Sequence, residues 1–245
     1  LKRKATIYIG LPDNYHKTNQ SYPVLYMQDG HNVFLKEDAF IGETWQMLEL
    51  YEVNHQVKDV IVVALNASEK ENGRMYEYSP FNIHFQNKDS KRMGGGGDLY
   101  VRYLIETIKP MIDTEFRTLT DHLNTSIMGS SMGGFIALYA GIKYPHIFGK
   151  VGSLSGSFFV AMNEMIDAIK NADLTPIQKI YLDTGDQEVS GGNELDYLKS
   201  NEMIYRILRD KCGEKKVVYK VIEGGRHSEV DWAKRLPSVM AILFS

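Results

Sequence analysis

Residues 125–140 read Thr125-Ser126-Ile127-Met128-Gly129-Ser130-Ser131-Met132-Gly133-Gly134-Phe135-Ile136-Ala137-Leu138-Tyr139-Ala140. A short apolar run meets a turn of glycines and serines, and a second apolar run of helical length follows. The implied order is strand, tight turn, helix. Such a turn strains its central residue, and glycines two positions before and after Ser131 remove the Cβ atoms that would collide there. Ser131 then stands clear of the backbone as a nucleophile. The helix starting at Met132 aims its positive end and free N–H groups at that serine, so the Met132 N–H is a predicted oxyanion donor. A Gly-x-Ser-x-Gly match alone is a weak signal in a chain this rich in glycine and serine. Its place between a buried strand and a helix gives it meaning. The nearby Gly152-Ser153-Leu154-Ser155-Gly156 lacks the spacing and reads as a decoy.

Outward from this turn, short β-branched runs alternate with longer segments of helical periodicity, the sign of a mainly parallel sheet crossed by helices. The expected strands are Ala5 to Ile9, Val24 to Met27, Val60 to Leu65, Thr125 to Met128, Lys150 to Leu154, Ile180 to Leu182 and Val217 to Ile222. The later ones are nearly all apolar, as strands covered on both faces should be. Helices are expected from Met132 to Lys143, Phe159 to Lys170, Glu194 to Lys211 and Glu229 to Leu243. Another should follow Asp98 as N-cap through Val101, Leu104, Ile105, Ile108, Met111 and Ile112, bent or shortened by Pro110. The predicted fold is α/β, an α/β-hydrolase fold with helices on both faces of the sheet, in a single domain spanning 1–245. Residues 66–97 form a polar stretch without clear periodicity, read as a long loop near the active edge. Its four glycines, Gly94 to Gly97, lack the Gly-Lys-Ser/Thr ending of a phosphate cradle and read as a connector.

A serine hydroxyl at neutral pH needs a general base, and in this fold the order is serine, acid, histidine, with the histidine after the last strand. Of seven histidines, His227 alone follows the final strand, behind Gly224-Gly225-Arg226. The acid should follow the preceding strand, where Asp183, Asp186 and Glu188 stand; Asp183 belongs to the strand itself, which leaves Asp186 and Glu188. Its role is to fix the imidazole tautomer and stabilise the imidazolium. The second oxyanion donor is expected from the loop Asp29-Gly30-His31-Asn32, as the His31 N–H. A metal site at His31 and Asp29 would lack further ligands at any recognisable spacing. This chemistry needs no cofactor. Arg74, in Arg74-Met75-Tyr76-Glu77-Tyr78-Ser79-Pro80-Phe81, is a possible substrate-wall residue, with loop packing as the competing reading.

Composition narrows the rest. The formal net charge is −3, and basic residues are scattered apart from Lys2-Arg3-Lys4, which speaks against nucleic acid as a partner. No segment approaches the roughly 18 uninterrupted apolar residues of a membrane span. One cysteine, Cys212, leaves no internal disulfide and suits a reducing cytosol. A secreted bacterial protein with one thiol has the same appearance, and a chain beginning at Leu1 is compatible with a removed leader. Oligomeric state is not encoded in any contiguous pattern.

At Tyr26-Met27-Gln28-Asp29-Gly30-His31-Asn32-Val33-Phe34, Gly129 to Gly134, Gly185-Asp186-Gln187-Glu188 and Gly225-Arg226-His227-Ser228-Glu229 leading to Trp232, the chain resembles the putative esterase family of α/β-hydrolases. This is the group of esterase D, enterochelin-esterase-like and feruloyl-esterase-like enzymes, and the resemblance runs through most of the chain. It implies a serine carboxylic-ester hydrolase acting on a small-molecule ester. In this family the acid stands three residues after the glycine closing its strand, which implies Glu188, and the residue after Asp-Gly gives the oxyanion N–H, which implies His31. Asp29-Gly30 departs from the His-Gly form of some members, pointing to the bacterial enterochelin-esterase-like subgroup. The same residues would also serve acyl transfer, and a silent hydrolase scaffold that only binds a ligand is the third reading.

Overall fold

The computed structural model describes residues 1, 3–53, 59–83, 93–189 and 194–244. In chain order the elements are β1 Ile7–Gly10, β2 Val24–Gln28, α1 Met47–Val53, β3 Ile61–Leu65, α2 Gly73–Tyr78, β4 Asn82–Ile83, β5 Met93–Gly94 and α3 Gly97–Tyr103. They continue with α4 Lys109–Glu115, β6 Thr125–Ser130, α5 Met132–Lys143, β7 Lys150–Leu154, α6 Met162–Asn171, β8 Lys179–Gly185, α7 Glu194–Cys212, β9 Val217–Ile222 and α8 Glu229–Phe244. Seven strands form one sheet in the order β1-β3-β2-β6-β7-β8-β9. Only β1 runs antiparallel to its neighbour; the other pairings are parallel.

Successive strand residues serve opposite faces, as the two-residue period demands. Val24, Tyr26, Ile61, Val63, Ile127, Ile180 and Leu182 pack with the helices α3 to α7. Leu25, Met27, Val62, Ala64, Met128 and Tyr181 face α1 and α8, meeting Leu50, Leu236, Val239, Met240 and Leu243. Both faces are therefore covered, which is why strands β2, β3, β6 and β7 are buried at every position. The fold is that of an α/β-hydrolase.

The sheet order fixes where a site can form. From β2 the chain steps to β3 on one side, yet β6 pairs on the other side of β2, so the winding reverses between β2 and β6. Ligands of open α/β sheets bind beyond the carboxyl ends of the strands at such a reversal. The loop after β2 carries Asp29-Gly30-His31, and the turn after β6 carries Ser131.

Three expectations are corrected. The first strand begins at Ile7 rather than Ala5. The helix read as capped by Asp98 starts one residue before it, with Gly96 at the cap position and no side-chain cap bond. A Cβ on Gly97 would lie 2.5 Å from the Pro80 nitrogen, so close approach of two backbones sets the start, and Asp98 instead accepts from the Tyr139 hydroxyl at 2.7 Å. Pro110, expected to bend or shorten that helix, lies in the first turn of α4, just after a break in its regularity. Residues Leu104–Ile108 widen into a π turn between α3 and α4, which accommodates a ring that cannot donate to the helix ladder. The stretch read as a long loop contains α2 and the β4–β5 pair, while residues 84–92 lie outside the described part. A helix of six residues is too short for periodicity to reveal it.

Candidate active site

Ser131 takes φ 57° and ψ −124° between β6 and α5, a conformation that L-residues rarely adopt. What holds it there is the close contact of flanking glycines: a Cβ on Gly129 would lie 2.6 Å from the Gly133 carbonyl carbon. The Ser131 N–H donates to the Leu154 oxygen at 2.9 Å, and its own oxygen accepts from the Ser157 N–H at 3.1 Å. The serine is thus fixed by backbone on both sides. Met132 opens α5, and N–H groups in a first helical turn have no acceptor within the helix.

Glu188 and His227 meet because the loops after β8 and β9 are joined by backbone. A Cβ on Gly185 would lie 2.1 Å from the Gly225 oxygen, so only glycine permits this approach. Gln187 N–H donates to that same oxygen at 3.0 Å, and Asp186 N–H to Ile222 at 3.1 Å. Glu188 is fully buried, with Oε2 2.9 Å from His227 Nδ1. Its other oxygen accepts from the Gly185 N–H at 2.6 Å and the Ser155 hydroxyl at 2.5 Å. Asp186 lies elsewhere: its Oδ1 accepts from the exposed Gly224 N–H at 2.8 Å, tying one loop to the other.

Behind Glu188 stands a buried set of groups that the sequence reading did not connect with it. Ser155, at φ 50°, receives the Trp232 indole N–H at 2.9 Å and the Arg235 guanidinium at 3.1 Å while donating to Glu188. Arg235 also pairs with Asp183 at 3.0 Å. Burial pushes the Asp183 carboxyl up to about 6 against the opposing pull of Arg235. The segment read as a decoy therefore supplies the hydroxyl that supports Glu188, though no nucleophile. Trp232 also packs edge-on against the His227 ring at 4.9 Å and stacks on Trp45 at 6.0 Å.

The β2 loop is clamped from α2. Asp29 sits in the left-handed region at φ 53°, its N–H donating to the Tyr78 hydroxyl at 2.9 Å. Arg74 grips its carboxylate with two bonds of 2.8 and 2.7 Å, and the guanidinium lies over the Tyr78 ring at 5.2 Å. Arg74, read as a possible substrate contact, is thus committed to a carboxylate. Arg74 and Tyr78 share one face of α2 through i, i+4 spacing, the one signal that a sequence reader had for this clamp. The His31 N–H donates to Asn66 Oδ1 at 2.7 Å. Among the described residues, no group of three His, Cys, Asp or Glu side chains is placed to hold a metal ion. No helix among them is long and apolar enough to cross a membrane.

Ser131 and His227 share no hydrogen bond. Ser131 Oγ has Ser157 Oγ as its partner at 3.2 Å, and His227 Nε2 has the Tyr197 hydroxyl at 3.5 Å.

A strained serine at the winding reversal of a parallel sheet, with a histidine–carboxylate pair on the loops after its last two strands, is the arrangement expected in an α/β-hydrolase. The family model for Putative esterase matches residues 1–243, and the chain belongs to that family, whose chemistry is carboxylic-ester hydrolysis. It is 25% identical over 246 residues to the uncharacterized protein YbbA of Bacillus subtilis, covering 99% of this chain and 92% of that one. An endo-1,4-beta-xylanase/feruloyl esterase of Xylanibacter ruminicola is 25% identical over 250 residues, with 99% of this chain matching 30% of it. Among solved structures, an IroE-like serine hydrolase from Shewanella oneidensis superposes with a TM-score of 0.76 at 20% identity, over 97% of this chain and 75% of that one. The enterobactin esterase of Shigella flexneri, crystallised in the presence of enterobactin, gives 0.74 at 18% identity; this chain, 99% covered, spans 55% of that enzyme.

Proposed function

We propose that the protein is a serine esterase working through an acyl-enzyme, with Ser131 as nucleophile, His227 as general base and Glu188 as the acid that orients it. The observation that carries this reading is the Glu188–His227 bond at the carboxyl edge of the sheet, beside a serine held at positive φ. Ser131 Oγ attacks the ester carbonyl as its proton passes to His227. Glu188, accepting from Nδ1, keeps the unprotonated nitrogen facing the serine side and stabilises the imidazolium that forms. The leaving alcohol takes that proton, and water then clears the acyl group by the same route in reverse. Catalytic hydrogen bonds often form only once substrate binds, so a Ser131 and a His227 that share no hydrogen bond fit a resting enzyme.

The oxyanion rests on the Met132 and His31 N–H groups in this proposal. The second of these has an internal acceptor, so the substrate oxygen must displace Asn66 Oδ1. Asn66→Ala removes the competitor. The expected result is a kcat/KM about fivefold higher, the worth of the ~1 kcal/mol exchanged in one hydrogen bond; a lower value would mean that Asn66 assists catalysis rather than opposing it.

The substrate is a small-molecule ester. Feruloyl esters and siderophore lactones are the first to try, since relatives are named for ferulic acid and enterobactin. The test is labelling by a fluorophosphonate followed by peptide mass spectrometry. A single adduct on the peptide carrying Ser131 is expected, together with hydrolysis of p-nitrophenyl butyrate. An adduct on any other residue would refute the assigned nucleophile.

A further inference from the structure

Three ionisable side chains meet behind the proposed site, and the mechanism above uses only one of them. Asp183 on β8 and Glu188 beyond it flank Arg235 of α8, with side chains 0%, 0% and 4% exposed. Arg235 Nη1 donates to Asp183 Oδ1 at 3.0 Å, whereas Nη2 stands 3.6 Å from Glu188 Oε1. The cation is therefore bonded to Asp183 and only near Glu188. A buried ion pair commonly stabilises a fold less than apolar groups of the same volume, so a mere latch between β8 and α8 does not call for these charges.

The surroundings leave the three groups little freedom. Ser155 Oγ takes N–H donors from Trp232 at 2.9 Å and Arg235 at 3.1 Å, so its single proton must go to Glu188 Oε1. Tyr181 donates to Asp183 Oδ2 at 3.0 Å, and Arg235 Nη2 also reaches the oxygen of Arg226, the residue before His227, at 3.4 Å. The titratable groups facing Asp183 are Tyr181 on its own strand, Tyr219 on β9, Arg235 and Glu188. Burial pushes both tyrosine hydroxyls up, which keeps them neutral. Facing His227 are Glu188 and, from α7, Tyr197. Asp231, one turn before Arg235 on α8, pairs with Lys234 at 2.8 Å. Asp183, pushed up to about 6 by its burial, is still an anion at neutral pH. Two anions thus share one cation.

We propose that Asp183 is a positioning residue for catalysis: it occupies Arg235, so that the guanidinium does not draw on Glu188 and Glu188 keeps its full pull on His227. This rests on the esterase reading above. In a water-poor interior a charge acts over several ångströms. Without the Asp183 anion, Arg235 would face Glu188 alone and offset the negative charge that stabilises the imidazolium formed when Ser131 gives up its proton. His227 would then hold a proton less firmly and be a weaker base. Asp183, fully buried, moves no proton and touches no substrate in this role.

The test uses Asp183→Asn and the double variant Asp183→Asn/Arg235→Met beside wild type, with hydrolysis of p-nitrophenyl butyrate followed across pH. Asparagine keeps an oxygen for Arg235 and the shape of the site, and loses only the charge. The midpoint of the acid limb of kcat/KM reports the base of the free enzyme, and it does not depend on what fraction of a preparation is folded. In Asp183→Asn that midpoint should fall by about half a pH unit, the sign expected when a cation near the imidazole loses its partner. At neutral pH kcat should drop about tenfold, with KM within about twofold of wild type. Removing Arg235 as well takes away the unmatched cation, so the double variant should move both readings back toward wild type, where a structural latch would lose further. An Asp183→Asn midpoint within about 0.2 pH unit of wild type, or a double variant whose midpoint lies below that of the single, would overturn the proposal. Should the double variant not fold, Asp183→Asn decides the question alone. A Ser131→Ala control separates the two readings: if that variant still hydrolyses, the esterase site itself is wrong, whereas if it is dead and the midpoint has not moved, the failure belongs to Asp183 only.

Discussion

Ser131→Ala is expected to lower kcat for p-nitrophenyl butyrate by about 10⁴- to 10⁶-fold, leaving the background that a binding site and oxyanion donors alone provide. Stability should hardly move. Among the described residues the Ser131 hydroxyl makes one bond, to Ser157, and the serine is fixed by its backbone contacts with Leu154 and Ser157, which alanine keeps. Alanine also meets the same strain at φ 57°, so the turn is neither relieved nor worsened. The loss of one such bond is worth about 1 kcal/mol in urea unfolding. Activity falling by four orders while the midpoint stays near wild type would separate chemistry from folding. Rescue by a neighbouring serine is not expected, since Ser155 is fully buried and already bonded to Glu188, Trp232 and Arg235. Residual activity above about 1% of wild type would point to another nucleophile.

Much of the fold was legible because its signals are local. The β6 turn shows a strand, a glycine-flanked serine and a helix within sixteen residues, and β7, β9, α5 and α8 fall within a residue or two of their expected ends. Order alone picks out His227, the histidine after the last strand, and it lies 2.9 Å from Glu188. What stayed hidden depends on partners far apart in sequence. Arg74 invites a reading as a substrate contact because its partner Asp29 is 45 residues away, and no spacing rule links them. Ser155 carries no motif; its bonds to Glu188, Trp232 and Arg235 exist only because the packed sheet brings these residues together. Asp98 shows the converse error. A good capping residue stood one position inside the true start, because the fit of Gly97 against Pro80 outweighed capping preference.

The proposed triad acid offers the other large effect: Asp186 and Glu188 fit the residue pattern alike, the family resemblance implies Glu188, and Glu188 rather than Asp186 lies against His227. In Glu188→Gln the amide must choose its orientation. The Oε1 side receives donors from Gly185 and Ser155 and lies 3.6 Å from Arg235, so the carbonyl oxygen takes that side and the amino group faces His227. Nδ1 then becomes an acceptor, and the ring proton moves to Nε2, the nitrogen that has to take a proton from the serine. A base in the wrong tautomer costs about 10⁴-fold in kcat in comparable triads, and a loss of 10³- to 10⁴-fold with little change in KM is expected here. Asp186→Asn behaves differently because an amide oxygen still accepts from the exposed Gly224 N–H, and kcat should stay within about threefold. Measuring both variants beside wild type on one ester decides the assignment. A large loss in Asp186→Asn with a near-normal Glu188→Gln would move the acid to Asp186, and would require the loops after β8 and β9 to rearrange around Gly185 and Gly225 when substrate binds.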